Sequence, residues 1–320
     1  MDTNELYLGY NIGGTKCSVV LGDKNFNILD KVSFPTNTKR GYAEILNEFK
    51  EHTFKLLSSY GQDKLIKIGI SCGGPLDSTK GVIYSPPNLP GWDAVPIVDI
   101  VKAEFGVEVE VQNDANASAL AEWMMGGGKG TRNMIFLTFG TGMGAGLILN
   151  GQLYAGTNDL GGEVGHIRME DTGPVGFGKA GSFEGFCSGG GIAQLASTII
   201  TQKLEDGQTV GFCPTKEGAQ NITAKDVFEA ANDGDPVAMQ IVEISAKQLG
   251  KGLAILIDIL NPERIVIGSI YTRNKEVFDP IINEMLEKEA IPAANKVCKI
   301  VPAALGESIG DYAALCVALN

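Results

Sequence analysis

The sequence lacks the features that mark secreted and membrane-spanning proteins. Its six cysteines are scattered and form no C-x-x-C pair, so we expect reduced, mostly buried thiols. No segment approaches the length of a membrane span, about 20 uninterrupted apolar residues. The start, MDTNELYLGYNIGG, has neither the basic nor the apolar region of a signal peptide. These absences predict a cytoplasmic protein that does not enter a membrane.

Positive charge is also scarce. The chain has 26 Lys and Arg against 38 Asp and Glu, a net charge of -12, and no local run of basic residues compensates. Binding along a nucleic-acid backbone requires clustered Lys and Arg. We therefore expect no nucleic-acid partner.

Two common nucleotide-binding motifs are missing or out of context. The Walker pattern G-x-x-x-x-G-K-[ST] does not occur. Residues 140–145, GTGMGA, match G-x-G-x-x-A, but a strand pattern follows them where a dinucleotide-binding fold requires a helix. The sequence thus disfavours both a P-loop NTPase and a dehydrogenase.

Glycine, by contrast, is abundant. It occupies 42 of the 320 positions, well above the usual share of about 7%. Such an excess is typical of tight turns and of backbone that approaches a ligand closely. The length suggests about two domains, each able to bury a core.

Residues 107–122, VEVEVQNDANASALAE, read as an alternating strand that breaks at Gln112-Asn113-Asp114 and continues into a helix from about Asn116. This pattern places Asp114 in the turn at the carboxyl end of a strand, where α/β proteins bind ligands. Its carboxylate could take a proton from an alcohol that attacks a phosphoryl group. Alternatively, Asp114 merely caps the helix, since Asp is a favoured cap residue.

Two strand-turn-strand units are similar. Residues 6–22 carry Gly13-Gly14-Thr15-Lys16 between two apolar strands, and residues 133–150 carry Gly140-Thr141-Gly142. Alone, each is compatible with an ordinary β-hairpin turn. As a pair, facing each other, they would cradle a polyphosphate with backbone N–H groups.

Further polar residues occur in glycine-rich turns. Glu163 and His166 lie three positions apart, and Glu184 follows GPVGFGKAGSF. Such groups can hydrogen-bond sugar hydroxyls, each bond contributing about 1 kcal/mol. The alternatives are surface charge for the two carboxylates and a metal ligand for His166.

Together, GGTK, QNDANASALAE, FGTGMGAG and GGEVGH resemble the ROK family of bacterial sugar kinases, repressors and related open reading frames. The similarity covers nearly the whole chain, including SPPNLPGW and the terminal ALGESIGDYAAL. It implies an α/β, actin-like (ribonuclease H-like) two-domain sugar kinase fold with an interdomain cleft. Residues 1–117 plus 305–320 would form the smaller domain and residues 118–304 the larger.

The resemblance also implies residue roles. Asp114 would be the general base that accepts the proton of the sugar hydroxyl. The implied sugar contacts are Gly74, Asn88, Asn113, Glu163, His166 and Glu184. The implied nucleotide contacts are Gly13, Gly14, Thr15, Lys16, Thr138, Gly140, Thr141, Gly142 and Gly268. The cofactors would be ATP and Mg²⁺.

Two departures from the family pattern matter. Many members have Asp where this chain has Asn11, so one charge near the magnesium ion is lost. The family's zinc motif, C-x-C-G-x-x-G-C-x-E, reads here as VGFGKAGSFE, with Val175, Phe177 and Ser182 at the sulfur positions. We therefore expect no structural zinc and expect Val175 and Phe177 to pack in its place.

These observations predict ATP-dependent phosphorylation of a hexose or N-acetylhexosamine, of the glucokinase or N-acetylmannosamine/N-acetylglucosamine kinase type. The alternative is a catalytically weak or inactive sugar-sensing regulator without its own DNA-binding domain, because only about five residues precede the first strand. The resemblance also implies a homodimer.

Overall fold

The computed structural model describes residues 5–320, and its contacts divide the chain into two compact units. Unit 1 comprises Met1–Gly130, Gly146–Gly161 and Ala304–Asn320, and unit 2 comprises Thr131–Ala145 and Gly162–Ala303. The predicted signal-free start falls partly on residues 1–4, which lie outside the described residues. The predicted domains, 1–117 plus 305–320 and 118–304, stay a prediction. No helix of the described part is both long and apolar enough to cross a lipid bilayer.

Unit 1 is built on a five-stranded sheet in the order β3-β2-β1-β4-β7. The first three strands run antiparallel, whereas β4 and β7 continue the sheet parallel to β1. Two short strands, β5 and β6, form a separate hairpin. The strands are β1 Leu6–Ile12, β2 Lys16–Asp23, β3 Ile28–Pro35, β4 Leu65–Cys72, β5 Leu76–Asp77, β6 Val82–Ile83 and β7 Glu108–Asn113.

Four helices cover this sheet. They are α1 Gly41–Tyr60, α2 Ile97–Phe105, α3 Asp114–Met124 and α11 Ile309–Leu319. The amphipathic pattern of residues 40–60 predicts α1, whose buried side chains include Ile45, Phe49 and Leu56. The final helix, α11, packs on β1 and β4, so the end of the chain is part of the core of unit 1.

The second sheet repeats the same design in the order β10-β9-β8-β13-β14. Again an antiparallel pair precedes strands added in parallel, β13 to β8 and β14 to β13. The repeat explains why similar Gly-Thr turns occur twice. The strands are β8 Met134–Phe139, β9 Met143–Leu149, β10 Gln152–Tyr154, β13 Arg264–Ile267 and β14 Lys299–Pro302, and a small hairpin pairs β11 Val175–Gly176 with β12 Lys179–Ala180.

The helices of unit 2 are α4 Phe183–Phe186, α5 Gly189–Glu205, α6 Lys216–Gln220, α7 Ala224–Asn232, α8 Pro236–Leu260, α9 Ile270–Glu289 and α10 Pro292–Val297. The longest, α8, begins at an Asp235 cap followed by a proline and ends at Asn261 in the left-handed region. Gly252 lies against the Phe183 ring, where an added Cβ would be 2.3 Å from Cζ. A glycine is therefore needed at this position of α8.

Candidate functional site

In unit 1, three loops meet at the carboxyl ends of neighbouring parallel strands. Ile12 at the end of β1 pairs with Cys72 at the end of β4, and Cys72 pairs with Asn113 at the end of β7. The Gly13 turn, the Gly73-Gly74 turn and Asp114 therefore lie along one edge of the sheet. This is the edge at which open α/β sheets bind ligands.

Asn113, and not Asp114, caps α3. The Asn113 Oδ1 accepts a hydrogen bond from the Asn116 N–H at 2.8 Å, so the alternative that Asp114 serves as the helix cap is wrong. Helix α3 begins at Asp114, earlier than the predicted start near Asn116. The cap uses the side-chain oxygen of Asn113, and the side-chain N–H groups of Asn113 can still donate to a ligand. The Asp114 carboxylate is thus free for chemistry.

The Asp114 side chain is open to solvent, yet its pKa is raised above the ordinary value of an aspartate. Desolvation by the surrounding protein is the main cause, because it disfavours the charged form. The nearby N–H groups of Ala115 and Asp114 itself oppose it. A carboxylate with a raised pKa is a better proton acceptor than an ordinary one.

Two hydrogen bonds from Thr36, the residue after β3, fix the first Gly-Thr turn. Thr36 donates from Oγ1 to the Gly13 carbonyl at 2.6 Å, and its N–H donates to the Thr15 carbonyl at 2.9 Å. These bonds occupy carbonyl groups, while the side chains of Thr15 and Lys16 stay exposed. The turn can therefore offer N–H groups and an ammonium to an anion.

Asn88 lies between the two glycine turns of unit 1. A Cβ added at Gly14 would be 2.8 Å from the Asn88 carbonyl oxygen, and one added at Gly73 would be 3.2 Å from its Oδ1. Only glycine permits this approach from both sides. The structure thus places Asn88, at an exposed position, against the turns that contain Gly14 and Gly73; the sugar contacts that the resemblance implies for Asn88 and Gly74 stay a prediction.

In unit 2, the second Gly-Thr turn lies against the first turn of α5. Gly189 donates its N–H to the Gly140 carbonyl at 2.7 Å, and Ser188 caps α5 by accepting from Gly191 at 3.0 Å. Thr138 was predicted to contact phosphate, but its Oγ1 accepts from the Gly144 N–H at 2.8 Å. Its role in the structure is to fasten the hairpin that presents Gly140 and Thr141.

A cavity of about 570 Å³ opens beside this turn. It combines three apolar side chains, two basic ones, one acidic one and the beginnings of α5, α7 and α9. Its lining includes Gly140, Thr141, Gly189, Gly190, Ala224, Lys225, Phe228, Glu229, Asn232, Ser269, Ile270, Arg273 and Asn274. Helix N-termini favour anions, so the cavity suits a nucleoside whose phosphates extend to Gly140 and Thr141.

The predicted nucleotide residue Gly268 does not line this cavity. It is buried, with an added Cβ lying 3.5 Å from the Phe136 ring, and its exposed neighbour Ser269 forms the wall instead. Most lining residues were missed because they come from four distant segments. One signal was available: Cys187-Ser188-Gly189-Gly190-Gly191 places a cap residue and glycines at a helix start.

Glu163, His166 and Glu184 belong to one part of unit 2. Glu163 precedes a short 3-10 helix, Val164–His166, and the side chains of Glu163 and His166 are exposed. Gly165 lies against Glu184, since a Cβ there would be 3.2 Å from the Glu184 Cβ. The Glu184 Oε2 accepts from the Met143 N–H at 3.0 Å. This bond ties the predicted sugar residue to the strand that leaves the second Gly-Thr turn.

Gly142 controls the position of Glu184, and this leads to a testable contrast. A Cβ at Gly142 would be 2.9 Å from the Glu184 Oε2. Because a flexible carboxylate can move away at little cost, we expect Gly142→Ala to leave the melting temperature nearly unchanged. We expect the sugar KM to rise about tenfold, the equivalent of one lost charged hydrogen bond. Steady-state kinetics with varied sugar measure this.

Gly140→Ala is the matched control for that variant. A Cβ at Gly140 has 3.8 Å of space to its nearest neighbour, the Ser269 Oγ. Its sugar KM should equal that of the wild type. Equal sugar KM values in both variants would show that Glu184 does not contact the sugar.

The segment that corresponds to the family's zinc motif does not fit a zinc ion. Val175, Phe177 and Ser182 offer no thiolate, and no cluster of three or more potential metal-ligating His, Cys, Asp or Glu side chains occurs within residues 5–320. The prediction that Val175 and Phe177 pack in place of zinc is wrong: their exposed fractions are 45% and 80%. A two-residue hairpin turn directs them away from the core.

Hydrogen bonds hold this segment instead. Gln194 on α5 makes two bonds of 3.0 Å to the backbone of Val175. Ser182 donates to the Gly176 carbonyl and caps α4 through the Gly185 N–H. Lys179 donates to the His166 carbonyl at 2.7 Å. The loop near the predicted sugar residues is thus fastened by ordinary polar contacts.

This arrangement predicts resistance to zinc chelators. Incubation with a zinc-selective chelator, followed by return of Mg²⁺, should leave the melting temperature and the activity unchanged, because no thiolate ligands hold a metal. Thermal unfolding with and without chelator checks this. Stoichiometric zinc in the purified protein together with a lower melting temperature after chelation would contradict it.

Known proteins resemble this chain over nearly its whole length. The profile of the ROK family matches residues 7–320. A glucokinase from Halalkalibacterium halodurans is 35% identical over 95% of this chain and 92% of its own length. The crystal structure of a ROK family glucokinase from Streptomyces griseus, in complex with glucose and AMPPNP, is 28% identical with a TM-score of 0.73, covering 98% of this chain and 99% of that one. A putative xylose repressor from Caldicellulosiruptor is 29% identical over 89% of this chain and 71% of the repressor.

Proposed function

The chain belongs to the ROK family and has its actin-like α/β sugar kinase fold, and on that premise we propose that it transfers the γ-phosphoryl group of ATP to a hexose or N-acetylhexosamine. One observation carries the proposal. Asp114 stands at the carboxyl end of β7 and does not serve as the cap of α3, because Asn113 supplies that cap.

Asp114 acts as the general base. Its carboxylate accepts the proton of the sugar hydroxyl while that oxygen forms a bond to the γ-phosphorus and the bond to the β,γ-bridging oxygen breaks. Such a base contributes about 10²–10⁴-fold, and positioning of the phosphates provides much of the remainder. The proposed contacts to the sugar hydroxyls are the residues that the family resemblance implies: Gly74, Asn88, Asn113, Glu163, His166 and Glu184.

The proposed phosphate contacts are the glycine-threonine turn residues that the family resemblance implies: Gly13, Gly14, Thr15, Lys16, Gly140 and Thr141. The nucleoside occupies the cavity of unit 2 beside Phe228 and Ile270. AMPPNP in the Streptomyces griseus enzyme supports an ATP-type donor.

Mg²⁺ fits the residues present. Mg²⁺ usually keeps several waters and is bound in part by substrate phosphates; Asn11 on β1 offers an amide oxygen, and the Asp114 carboxylate is reserved for the proton of the sugar. When bound, the ion neutralises charge on the transferred phosphoryl group. The residues of the chain therefore suit a metal that arrives with the nucleotide.

The proposal is tested by ADP release in a coupled assay over a panel of hexoses and N-acetylhexosamines, with and without Mg²⁺. We expect turnover with at least one sugar and none without the metal. Absence of turnover across the panel would defeat the proposal. The identity of the productive sugar follows from the same panel. A homodimer and a cytoplasmic location remain predictions, to be tested by sedimentation and by cell fractionation.

Asn11 supports a second candidate, a sugar-sensing regulator with little or no catalysis. Asn11 lies on β1 against the start of α11, where a Cβ at Gly310 would be 2.6 Å from its Nδ2. An amide here lacks the charge that Asp supplies in many family members. Calorimetric sugar binding without ATP turnover, with turnover gained by Asn11→Asp, would favour the regulator.

A further inference from the structure

The hairpin of β11 and β12 carries an aromatic residue in a strained position. Val175 pairs with Ala180 and Gly176 with Lys179, which leaves Phe177-Gly178 as a two-residue turn. Both turn residues have positive φ, 43° at Phe177 and 75° at Gly178. This is the geometry of a type I′ turn, which strongly prefers Asn-Gly. A bulky residue in the left-handed region is a genuine outlier.

Folding gains little from this side chain. The Phe177 ring is 80% exposed, so burial does not offset the strain. Strained residues that persist without a stabilising role concentrate at ligand-binding sites. Phe177 meets this condition.

The hairpin also has a fixed position. Gln194 bonds to both the N–H and the carbonyl of Val175, and Lys179 bonds to the His166 carbonyl. The Phe177 and His166 rings meet edge to face, with centroids 6.2 Å apart. Gly176, next to Phe177, lies against Glu184, since a Cβ there would be 2.7 Å from the Glu184 Cβ. The exposed ring thus stands beside two residues assigned to the sugar.

A ring that is four-fifths exposed cannot hold its neighbour in one orientation, because solvent and not protein surrounds it. Its free surface is instead available to a ligand that His166 also contacts. We propose that Phe177 is a specificity-determining residue that contacts the apolar C–H surface of the acceptor sugar. This inference rests on the proposed kinase function. Aromatic side chains provide large, rigid apolar contact area, which suits this task.

Turn chemistry provides a sharp test. Phe177→Asn creates Asn-Gly, the preferred sequence of a type I′ turn, so its melting temperature should equal or exceed that of the wild type. Its sugar KM should rise about tenfold, as should that of Phe177→Ala, while the KM for ATP stays constant. Phe177→Trp should retain the wild-type sugar KM. Val175→Thr on the same hairpin is the matched control and should change neither constant.

The outcomes separate the two proposals. A wild-type enzyme that phosphorylates no sugar defeats the kinase function itself. An active wild type whose Phe177→Asn and Phe177→Ala variants keep the sugar KM for every hexose and N-acetylhexosamine overturns the role of Phe177. A raised KM for every sugar indicates that Phe177 contacts the sugar ring. A raised KM for N-acetylhexosamines alone indicates that Phe177 contacts the acetyl methyl group. Both results support the inference. A changed sedimentation coefficient with unchanged KM assigns Phe177 to a subunit contact and overturns it.

Discussion

Asp114→Asn should lower kcat by about 10²–10⁴-fold, the usual contribution of a general base. Asn keeps the shape of the side chain but cannot accept the proton of the sugar hydroxyl. Because Asn113 caps α3, the substitution should leave the helix intact. Single-turnover and steady-state assays of ADP release measure the loss. Full activity in this variant would exclude Asp114 as the base.

The raised pKa of Asp114 also predicts the pH dependence. Activity should fall as the pH falls through that raised pKa, because the base becomes protonated. The acidic limb of kcat/KM should therefore lie above the ordinary range of an aspartate. A limb near pH 4, the value for an unperturbed Asp, would contradict the desolvation argument.

The free energy of unfolding should change with pH in the direction opposite to the activity. The folded state binds the Asp114 proton more tightly than the unfolded state does, so the wild-type free energy of unfolding decreases as pH rises from the ordinary to the raised pKa. Asp114→Asn removes this decrease and should be at least as stable as the wild type at neutral pH. Urea denaturation at several pH values tests this, with Asp63→Asn on an exposed turn as the control.

Glu122→Ala should cause the largest loss of stability. The Glu122 carboxylate is fully buried. It accepts hydrogen bonds from the backbone N–H groups of Gly127 at 2.6 Å, Ala304 at 3.0 Å and Leu305 at 2.9 Å. These donors are only partly buried, but a hydrogen bond to a charged group contributes about 1.5–3 kcal/mol. The expected decrease in the free energy of unfolding is therefore about 3 kcal/mol or more.

A surface ion pair provides the comparison for Glu122. Glu205 bonds to Lys216 at 2.8 Å, but its side chain is 50% exposed, and such pairs contribute about 0–1 kcal/mol. The free energy of unfolding of Glu205→Ala should thus lie within about 1 kcal/mol of the wild-type value. Urea denaturation followed by far-ultraviolet circular dichroism, which reports on the helices of both units, measures both variants. Equal midpoints for Glu122→Ala and Glu205→Ala would refute the anchoring role.

Glu122 has a particular place along the chain. Gly127 precedes the passage from unit 1 to unit 2 at Gly130, and Ala304 begins the segment that returns to unit 1. One buried carboxylate therefore secures both of these segments on unit 1. Sequence patterns did not identify it, because Glu122 reads as an ordinary polar position near the end of an amphipathic helix.

The sequence by itself determined the local features of this protein. Alternation and helical periodicity located β7 and α1, and glycine with threonine located both Gly-Thr turns, because these signals depend on neighbouring residues. The ordered motifs also determined the family, and with it the fold. Asp114 was identified for the same reason: its context is contained in about a dozen consecutive residues.

Only the tertiary structure decided how these parts are used. It showed that Asn113 caps α3 and that Ser269, not Gly268, lines the cavity. It also showed that Phe177 is exposed and not buried. It also assembled the cavity from residues near 140, 189, 228 and 270. The physical reason is common to all of these cases. Which atoms fall within hydrogen-bonding or packing distance depends on how distant segments pack, and no local pattern encodes that geometry.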